Sequence, residues 1–514
     1  MTDLGKCEVC AASASQKCGG CGTVLYCNRE HQAVHWPKHK IQCSPVKITF
    51  CSKIGRHMVA TRKIYPGDLI LKESPFILGP KVAPLPVCVG CLREFDKEET
   101  VDYCRSCGWP VCESKCSNSF WHLKECESLK NSGCNKSALI KFGGKNPVYG
   151  VLTPLRCLLL SSRDMEKLNS LQSHLEERSR TALYQAYRKS IVPAIRETLK
   201  MPYDENDILK VCAILDTNTF DIRTGRRRGR GIYCKSAMMA HNCLPNTRHI
   251  FEEETLSISI YATREISKNE SVTATYTQTL WDTARRRAHL KIAKCFDCTC
   301  ERCCDPTELG TFASSILCCI CGGLVVSTNP LENYSQWKCS KCNQVFSGRQ
   351  IALKKEEIRS GICSLNFTQA DKLEEYLINH KKIVHGTNSY VLEINYALTQ
   401  LYDDRFSKFK DLEEKIDYLT ENKLKRRIEL CRLLLSVADK IDPGFTRWRG
   451  QLLLSLQEAL FLQEKLKEYP EKQKNQEKFN EAKTILQEAT KILKIESDFA
   501  PLLSKHLSNL KSLT

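Results

Sequence analysis

The chain has 514 residues, 42% of them hydrophobic, and a formal net charge of +18 at pH 7. This length predicts about three or four domains with cores of their own. The amino-terminal MTDLGKCEVC has no apolar segment, and no later stretch reaches the apolar length of a membrane span, which argues against a secreted or membrane protein. The 31 cysteines then indicate thiolates on zinc in a reducing compartment, so we expect a soluble protein of the cytoplasm and nucleus.

The basic excess raises the question of nucleic-acid binding. Zinc-bound thiolates would offset part of the charge, and the basic residues are spread along the chain except in TGRRRGRG. This run contains Arg226, Arg227, Arg228 and Arg230. Charge runs are most often solvated, so we interpret it as a solvated loop, with binding of phosphate or acidic partners as the alternative.

The first element is a block of eight metal-type ligands. They are Cys7, Cys10, Cys18, Cys21, Cys27, His31, His39 and Cys43. Two residues between thiolates let both sulfurs reach one tetrahedral zinc, and pairs taken alternately along the block give two zinc ions. His31 stands in place of a cysteine, with His35 as the alternative donor.

Strand-like sequence follows in VKITF, HMVATRKI and DLILKESPFIL, with the turn YPGD before the last of these. A second block of eight ligands interrupts it: Cys88, Cys91, Cys104, Cys107, Cys112, Cys116, His122 and Cys126. Loose structural cysteines are the alternative for either block, but the zinc-site spacings recur too fully to favour it.

Residues 165–201 are rich in Glu, Leu, Arg and Ala and predict a long helix that Pro193 bends or divides. Strands return in GIYCKSAMM, TRHIF, TLSISIYATREI and SVTATY, followed by a cluster of cysteines at 295–304.

The last cysteines predict a one-zinc ribbon. Cys318, Cys321, Cys339 and Cys342 have the spacing C-x2-C-x17-C-x2-C, with free buried thiols as the alternative. From about 351 the sequence is helical, with leucine every three or four residues, and resembles helix-pair repeats without a clean 34-residue period. The leucine stripes predict core packing, and the concave face of such a stack can bind a peptide.

These motifs together resemble a known family. Both eight-ligand blocks are similar to MYND zinc fingers, the first down to its YCNREHQAVHWPKHKIQC ending. IGRHMVATRKIYPGDLILKESP resembles the opening of a split SET domain, RGIYCKSAMMAHNCLPN and SVTATY its core, and FDCTCERC a post-SET motif. With the helical end, the order resembles the SMYD family of lysine methyltransferases. The extra amino-terminal finger and the ribbon are similar to its arthropod-type SmydA branch.

The resemblance implies an α+β fold: a β-rich split SET domain with an inserted MYND finger, an extra amino-terminal finger, zinc-binding post-SET and ribbon segments, and an all-α helical-repeat end. The implied domains are a MYND-type finger (1–45), the first SET part (46–87), a second MYND-type finger (88–126), a helical SET insertion (127–211), the SET core (212–283), the post-SET segment (284–305), a zinc ribbon (306–350) and a helical TPR-like domain (351–514).

The family's chemistry is methyl transfer from S-adenosylmethionine to a lysine ε-amine, which depends on holding amine and methyl donor in line. By resemblance, Tyr276 lies beside the point of methyl transfer, where a plain core tyrosine is the alternative. The implied cofactor-binding residues are Gly55, Arg56, Asn218, Ala240, His241, Tyr276 and Phe296, with Phe296 on the adenine. His241 is interpreted first as structural rather than as a proton acceptor.

The resemblance also implies a post-SET zinc on Cys243, Cys298, Cys300 and Cys303, which brings the expected total to about six structural zinc ions. Each would have four protein ligands and no open position for substrate. Asn246 matches the last asparagine of the SET core motif.

Several positions depart from the family pattern. Ala240 stands where the core motif has an asparagine, and His57 replaces a small glycine beside Arg56. Lys294 stands where many relatives have a second channel tyrosine, and it would either repel a substrate lysine or extend outward and widen the channel. Asn269 replaces a glycine, which is tolerated if it adopts a left-handed conformation.

These departures keep a second hypothesis open, a catalytically weak or inactive scaffold. Its fingers would recruit proline-rich peptides and its helical domain would bind other protein tails. Nucleic-acid binding is the least favoured reading, because MYND-type blocks lack a basic recognition helix. We expect a monomer whose main partner is a lysine-containing protein substrate, from histones or other proteins.

Overall fold

The computed structural model describes residues 5–18, 24–81, 87–96, 99–133, 150–403, 420–466 and 476–511. Its mixture of sheets, small metal-type knots and a helical end confirms the predicted α+β class. Within these described ranges, none of the helices combines the length and the apolar content needed to cross a membrane.

The amino-terminal block folds as two small hairpins and a helix. The strands are β1 (Gly5–Lys6), β2 (Ser13–Ala14), β3 (Gln16–Lys17) and β4 (Leu25–Tyr26), and the helix is α1 (Arg29–Cys43). The Asn28 side chain caps α1 by accepting from the backbone N–H of His31 at 2.8 Å. Its buried core consists of Cys7, Ala14, Cys18, Tyr26 and Cys43. So few apolar atoms cannot hold a fold by themselves, and the unit depends on its ligand clusters.

The next strands are β5 (Val46–Cys51), β6 (Gly55–Ala60), β7 (Leu69–Glu73) and β8 (Ile77–Gly79). The second block follows with β9 (Asp102–Tyr103), β10 (Pro110–Val111), α2 (Ser114–Ser117) and α3 (Phe120–Asn131).

The helical insertion is divided more than the sequence predicted. It contains α4 (Leu152–Leu158), α5 (Ser162–Asn169), α6 (Leu175–Ser179), α7 (Ala182–Pro193), a π-helical segment (Ala194–Thr198) and α8 (Glu205–Asn218). The helical character expected over 165–201 and the division at Pro193 are confirmed, but further breaks split the segment more than expected. Pro193 ends α7, as its missing N–H favours. Helix α8 continues through residue 211, where we expected a domain limit.

The core strands are β11 (Thr219–Thr224), β12 (Arg227–Ile232), β13 (Ala240–His241), β14 (Thr247–Phe251), β15 (Ile258–Ala262) and β16 (Thr273–Ala274). The sheet orders are β11–β12–β8 and β14–β15–β7, and β13 runs parallel to β16. Strands that precede the second block thus pair with strands that follow it. The second block is an insertion into one SET-like core, as the resemblance implied.

The arginine run is not a solvated loop, and that interpretation was wrong. Most of it lies in the β11–β12 hairpin, whose strands pair from Thr219↔Ile232 to Thr224↔Arg227. Arg226 donates to the Asp96 carboxylate at 2.7 Å and Arg227 to the Cys91 carbonyl at 2.6 Å. Arginine in this hairpin therefore binds the second block to the SET-like core.

After the core come α9 (Thr283–Lys294) and α10 (Glu301–Cys304), and then the ribbon strands β17 (Ile316–Leu317), β18 (Leu324–Ser327), β19 (Trp337–Cys339) and β20 (Val345–Phe346). The helical end has α11 (Gly348–Cys363), α12 (Ala370–His380), α13 (Ser389–Leu401), α14 (Glu421–Ile441), α15 (Arg447–Leu466), α16 (Gln476–Leu493) and α17 (Ala500–Lys511).

The helical end docks on the outer strands of the core. The N–H of Phe445 donates to the Thr263 carbonyl at 2.7 Å, and a side chain at Gly444 would collide with the same carbonyl. Arg248 of β14 binds the Glu496 carboxylate at 3.1 Å in the loop after α16. These contacts fix the helices relative to the SET-like core.

The buried carboxyl group of Asp442, at the end of α14, makes stability depend on pH. Burial raises the pKa of Asp442 to about 6, from 3.8 in an exposed setting. A raised folded-state pKa favours the protonated form, so this stabilising contribution is complete below pH 4 and is lost as the pH rises through 6. We expect Asp442→Asn to stabilise the protein at pH 8 by on the order of 2 kcal/mol, with no gain at pH 4.

Denaturant unfolding at the two pH values tests this. Asp439→Asn, which removes a more exposed carboxylate paired with Arg449, is the control and should change stability by less than about 1 kcal/mol at either pH. Equal destabilisation of Asp442→Asn at pH 4 and pH 8 would contradict the assignment.

Candidate active site and metal centres

Clusters of soft donors lie in the described part of the chain, among them five that have four donors each. In each, the ligand atoms are within 4.8 Å of one another. They are Cys7, Cys10, Cys27 and His31; Cys88, Cys91, Cys112 and Cys116; Cys104, Cys107, His122 and Cys126; Cys243, Cys298, Cys300 and Cys303; and Cys318, Cys321, Cys339 and Cys342. Four thiolate or imidazole donors around one point fit tetrahedral zinc and leave no position open.

The clusters join alternate pairs along each block, as the spacing predicted. In the first block, His31 Nδ1 lies 3.1 Å from Cys27 Sγ, whereas His35 Nδ1 is bonded to the Tyr26 hydroxyl at 3.0 Å. The geometry therefore favours His31 over His35 as the ligand. The remaining ligands of this block include Cys18 and Cys43, whose sulfurs are 3.5 Å apart, and buried His39. Cys21 is outside the described residues.

A buried carboxylate that the sequence analysis missed orients His122. Glu125 accepts from His122 Nδ1 at 2.9 Å, while His122 Nε2 faces Cys107 Sγ at 3.4 Å. Arg156 of α4 holds the same carboxylate at 2.6 and 2.7 Å. A carboxylate behind a ligand histidine fixes its tautomer and ring orientation. The sequence signal was the glutamate three residues after His122 on one helix face.

The post-SET cluster lies against a buried charge network. Arg286 of α9 donates to Cys303 Sγ at 3.6 Å and to the Glu308 carboxylate at 2.7 Å. Arg302 lies 3.3 Å from the same carboxylate, and all three charged side chains are buried. Burial opposes ionisation of Glu308, but the two guanidinium groups hold its pKa at about 2. The cationic side chains thus offset the negative charge of four clustered thiolates.

His241 connects this cluster to Tyr276. Its Nδ1 accepts the backbone N–H of Tyr276 at 3.0 Å, so its Nε2 carries the proton and faces Cys243 Sγ at 3.2 Å. Burial lowers the pKa of His241 to about 4, so the ring is neutral at physiological pH. This geometry agrees with a structural role for His241.

Tyr276 directs its hydroxyl to the Met239 carbonyl. Burial raises the pKa of Tyr276 to about 12, so it remains a phenol at neutral pH. A neutral phenol cannot act as a general base, and its chemistry is limited to positioning and hydrogen bonding. Its ring centre lies 5.2 Å from that of His241, which in turn is 5.8 Å from that of Phe296.

Strand β6, which begins at the Gly55 turn, lies next to β16. The N–H of Val272, next to β16, donates to the Met58 carbonyl of β6 at 2.9 Å, while β16 pairs with β13 through Ala240↔Thr273. Gly55 has φ of 74°, and no atom lies within 4 Å of the place where its Cβ would be. This turn offers exposed backbone and open space, which fits the approach of a ligand.

The other predicted cofactor residues are more restricted. Asn218, at the end of α8, donates both amide hydrogens to backbone carbonyls, those of Ile214 and Gln172, each at 2.8 Å. Only its Oδ1 remains for a ligand. Arg56 donates to the Ser170 carbonyl, two residues from Gln172, so one loop connects both residues. Ala240 supplies no side-chain amide.

Two asparagines have backbone roles. Asn246 is buried, donates to the Ser271 carbonyl at 2.8 Å and accepts from the N–H of Thr273 at 2.8 Å, so it holds the chain at β16. Asn269 has φ of 68°, which confirms the left-handed conformation expected there.

Of the two alternatives for Lys294, the structure does not show the outward extension. Its ammonium group donates to the carbonyls of Asp216 and Thr217 at 2.9 and 2.8 Å, at the end of α8. It also lies 5.6 Å from the centre of the Tyr276 ring. A buried cation therefore lines the region around Tyr276.

Comparison with known proteins agrees with this architecture. A MYND finger family model matches residues 7–43, and a SET domain model matches residues 55–277. The SET domain-containing protein SmydA-8, isoform A, of Drosophila melanogaster is 32% identical over 312 residues. The chain is therefore similar to proteins that combine a MYND finger with a SET domain. The match covers 58% of this chain and 65% of SmydA-8, just under two thirds of that relative, and it supports the SmydA branch.

More distant relatives include the histone-lysine N-methyltransferases ASHR1 of Arabidopsis thaliana and SMYD3 of Mus musculus. They are 27% and 24% identical, each over 48% of this chain, and the matches cover 53% and 59% of their own lengths. Among solved structures, the SET domain of LSMT bound to lysine and AdoHcy aligns over 93% of this chain and 92% of its own, with 12% identity. The TM-score of 0.27 is too low to define a shared arrangement.

Removing Arg286 should destabilise the post-SET segment. Arg286→Met leaves Glu308 with Arg302 as its one remaining buried cation and removes the guanidinium donor to Cys303, at a cost of about 3 kcal/mol. We expect faster zinc release to a chelating dye and a lower denaturant midpoint. Arg285→Met, on the same helix but paired with Glu393 at a half-exposed position, is the matched control and should cost less than about 1 kcal/mol. Equal effects of the two substitutions would argue against the charge network.

Zinc removal should loosen Tyr276 through His241. Once Cys243 no longer positions Nε2, the bond from the Tyr276 N–H to Nδ1 weakens, and hydrogen exchange in the segment around Tyr276 should become faster. Mass spectrometry before and after chelation measures this, with a peptide from α15 as the internal control. Unchanged exchange at Tyr276 after complete metal loss would exclude the proposed connection.

Proposed function

We propose that this chain is an S-adenosylmethionine-dependent methyltransferase that acts on lysine side chains of proteins. The observation that carries the proposal is that the β13 residues Ala240 and His241 meet Tyr276 beside the post-SET cluster, with strand β6, which begins at the open Gly55 turn, bonded next to β16. Relatives named as histone-lysine N-methyltransferases are similar to 48% of this chain. The cofactor, when bound, supplies the methyl group.

The residues around Tyr276 have different roles in the proposed site. Gly55 leaves its backbone accessible, and the ring of Phe296 offers a flat apolar surface next to His241. Tyr276 keeps its hydroxyl in place against the Met239 carbonyl and so fixes one wall where a lysine amine has to be oriented. The gain from such a site comes from orientation, because the protein forms no bond to the substrate.

The metal centres belong to the same proposal. The five clusters, together with Cys18, Cys21, His39 and Cys43, would hold about six structural zinc ions, consistent with four protein donors per site. The domain limits that the resemblance implied are proposed with it, with the limit at 211 moved to the end of α8. The proposed partner is a lysine-containing protein substrate, and proline-rich peptides are proposed as ligands of the fingers. The protein is proposed to be a monomer of the cytoplasm and nucleus.

A weak or inactive scaffold is the second candidate function. Two observations favour it: Ala240 offers no amide, and Asn218 has both of its amide hydrogens bound to backbone. Losing one hydrogen bond to a ligand typically costs about 1 kcal/mol. A scaffold would keep its zinc-dependent fold and bind partners without methylating them.

Calorimetric titration of the zinc-replete protein with S-adenosylmethionine separates the two functions. We expect micromolar binding and methylation of one or more histone or non-histone proteins in a screen. Tyr276→Phe should keep cofactor affinity within about threefold but lower methylation by roughly 100-fold, since orientation is lost and the fold is not. Tyr261→Phe, in strand β15, is the control. Absence of both binding and methylation would favour the scaffold.

A further inference from the structure

Lys294 places a fixed positive charge beside Tyr276. It is the last residue of α9, and Cys295 ends the helix with φ of 60°. Its ammonium group caps α8 by donating to two carbonyls of that helix's last turn. The carbonyl end of a helix carries a partial negative charge, which gives the ammonium a favourable position. The hydrogen bonds to α8 thus fix the position of the Lys294 ammonium group.

Arg178 keeps this arrangement in place from the other side. Its guanidinium donates to the Ala293 carbonyl at 2.7 Å and to the Thr217 hydroxyl at 3.1 Å, and it lies 3.7 Å from the Asp216 carboxylate. Ala293 precedes Lys294, and the Thr217 carbonyl accepts from the Lys294 ammonium group. The end of α9 is therefore joined to the end of α8 at several points. The lysine cannot leave Tyr276 without breaking these contacts.

The amine remains mainly charged at neutral pH. Burial, and after it the repulsion of Arg178, lowers the pKa of Lys294 to about 8. The other ionisable groups that interact with it are Asp216, Asp221, Cys295, His174 and His289. The cation also lies over the Tyr276 ring, whose face would otherwise be free to attract another positive charge.

We propose that Lys294 makes this site discriminate between the charged methyl donor and its uncharged product. The inference rests on the proposed function, which places the donor's sulfonium near Tyr276. S-adenosylhomocysteine differs from S-adenosylmethionine only by the methyl group and the positive charge on sulfur. Two like charges several ångströms apart in a partly buried site repel one another enough to change affinity by roughly 10- to 100-fold. The site therefore favours the product over the donor.

Binding affinities test this without any turnover. Calorimetry gives the dissociation constants of both ligands for the zinc-replete wild type and for Lys294→Met, Lys294→Gln and Lys294→Arg. The two neutral substitutions should raise the affinity for S-adenosylmethionine, relative to S-adenosylhomocysteine, by about tenfold or more. Lys294→Gln can still donate to the α8 carbonyls, so it serves if methionine disturbs the fold. Lys294→Arg keeps the charge and should leave the ratio within about twofold.

Lys291→Met is the matched control, since Lys291 lies on the same helix but pairs with Asp297 at the surface. It should leave the ratio unchanged. An unchanged ratio in both neutral variants overturns the inference while the proposed function stands, and so does a Lys294→Arg variant that behaves like Lys294→Met. If neither ligand binds the wild type or any variant, the proposed function fails and the inference fails with it.

Discussion

The gathering of thiolates is the constraint on which this structure depends. Four cysteine or histidine donors within 4.8 Å repel one another unless a cation neutralises them, and the small units around them have little other core. The cluster at Cys243 has the widest influence, because His241 couples it to the backbone of Tyr276. The geometry of the candidate active site therefore depends on metal binding.

The positive charge of the chain serves the interior as much as the surface. Arg156 holds the carboxylate behind His122, Arg286 and Arg302 enclose Glu308, and Arg226 and Arg227 hold the second block on the β11–β12 hairpin. These side chains are paired within the fold. A net charge of +18 therefore gives no measure of a nucleic-acid surface in this protein.

The candidate active site combines a family-like frame with altered contacts. Tyr276 is held by the bond from its N–H to Nδ1 of His241, and strand β6 after the Gly55 turn by the bond from the Val272 N–H to the Met58 carbonyl. The differences are in the side chains that would face a cofactor. Ala240 lacks an amide, and Asn218 donates its amide hydrogens to backbone carbonyls. Lys294 adds a positive charge. Because charge acts over longer distances than a single hydrogen bond, Lys294 is the difference with the largest expected effect.

The sequence by itself determined the ligand clusters, the split order of the core and the helical end, because metal ligands, strands and helices all follow short spacings along the chain. Even His31 and the left-handed Asn269 could be read from local pattern. What joins distant segments was decided only by the tertiary structure. Glu125 meets Arg156, Lys294 meets the end of α8, and the arginine hairpin meets the second block across 31 to 136 positions, contacts that no periodicity encodes. Burial then set their charge states, since desolvation depends on the neighbours that folding supplies.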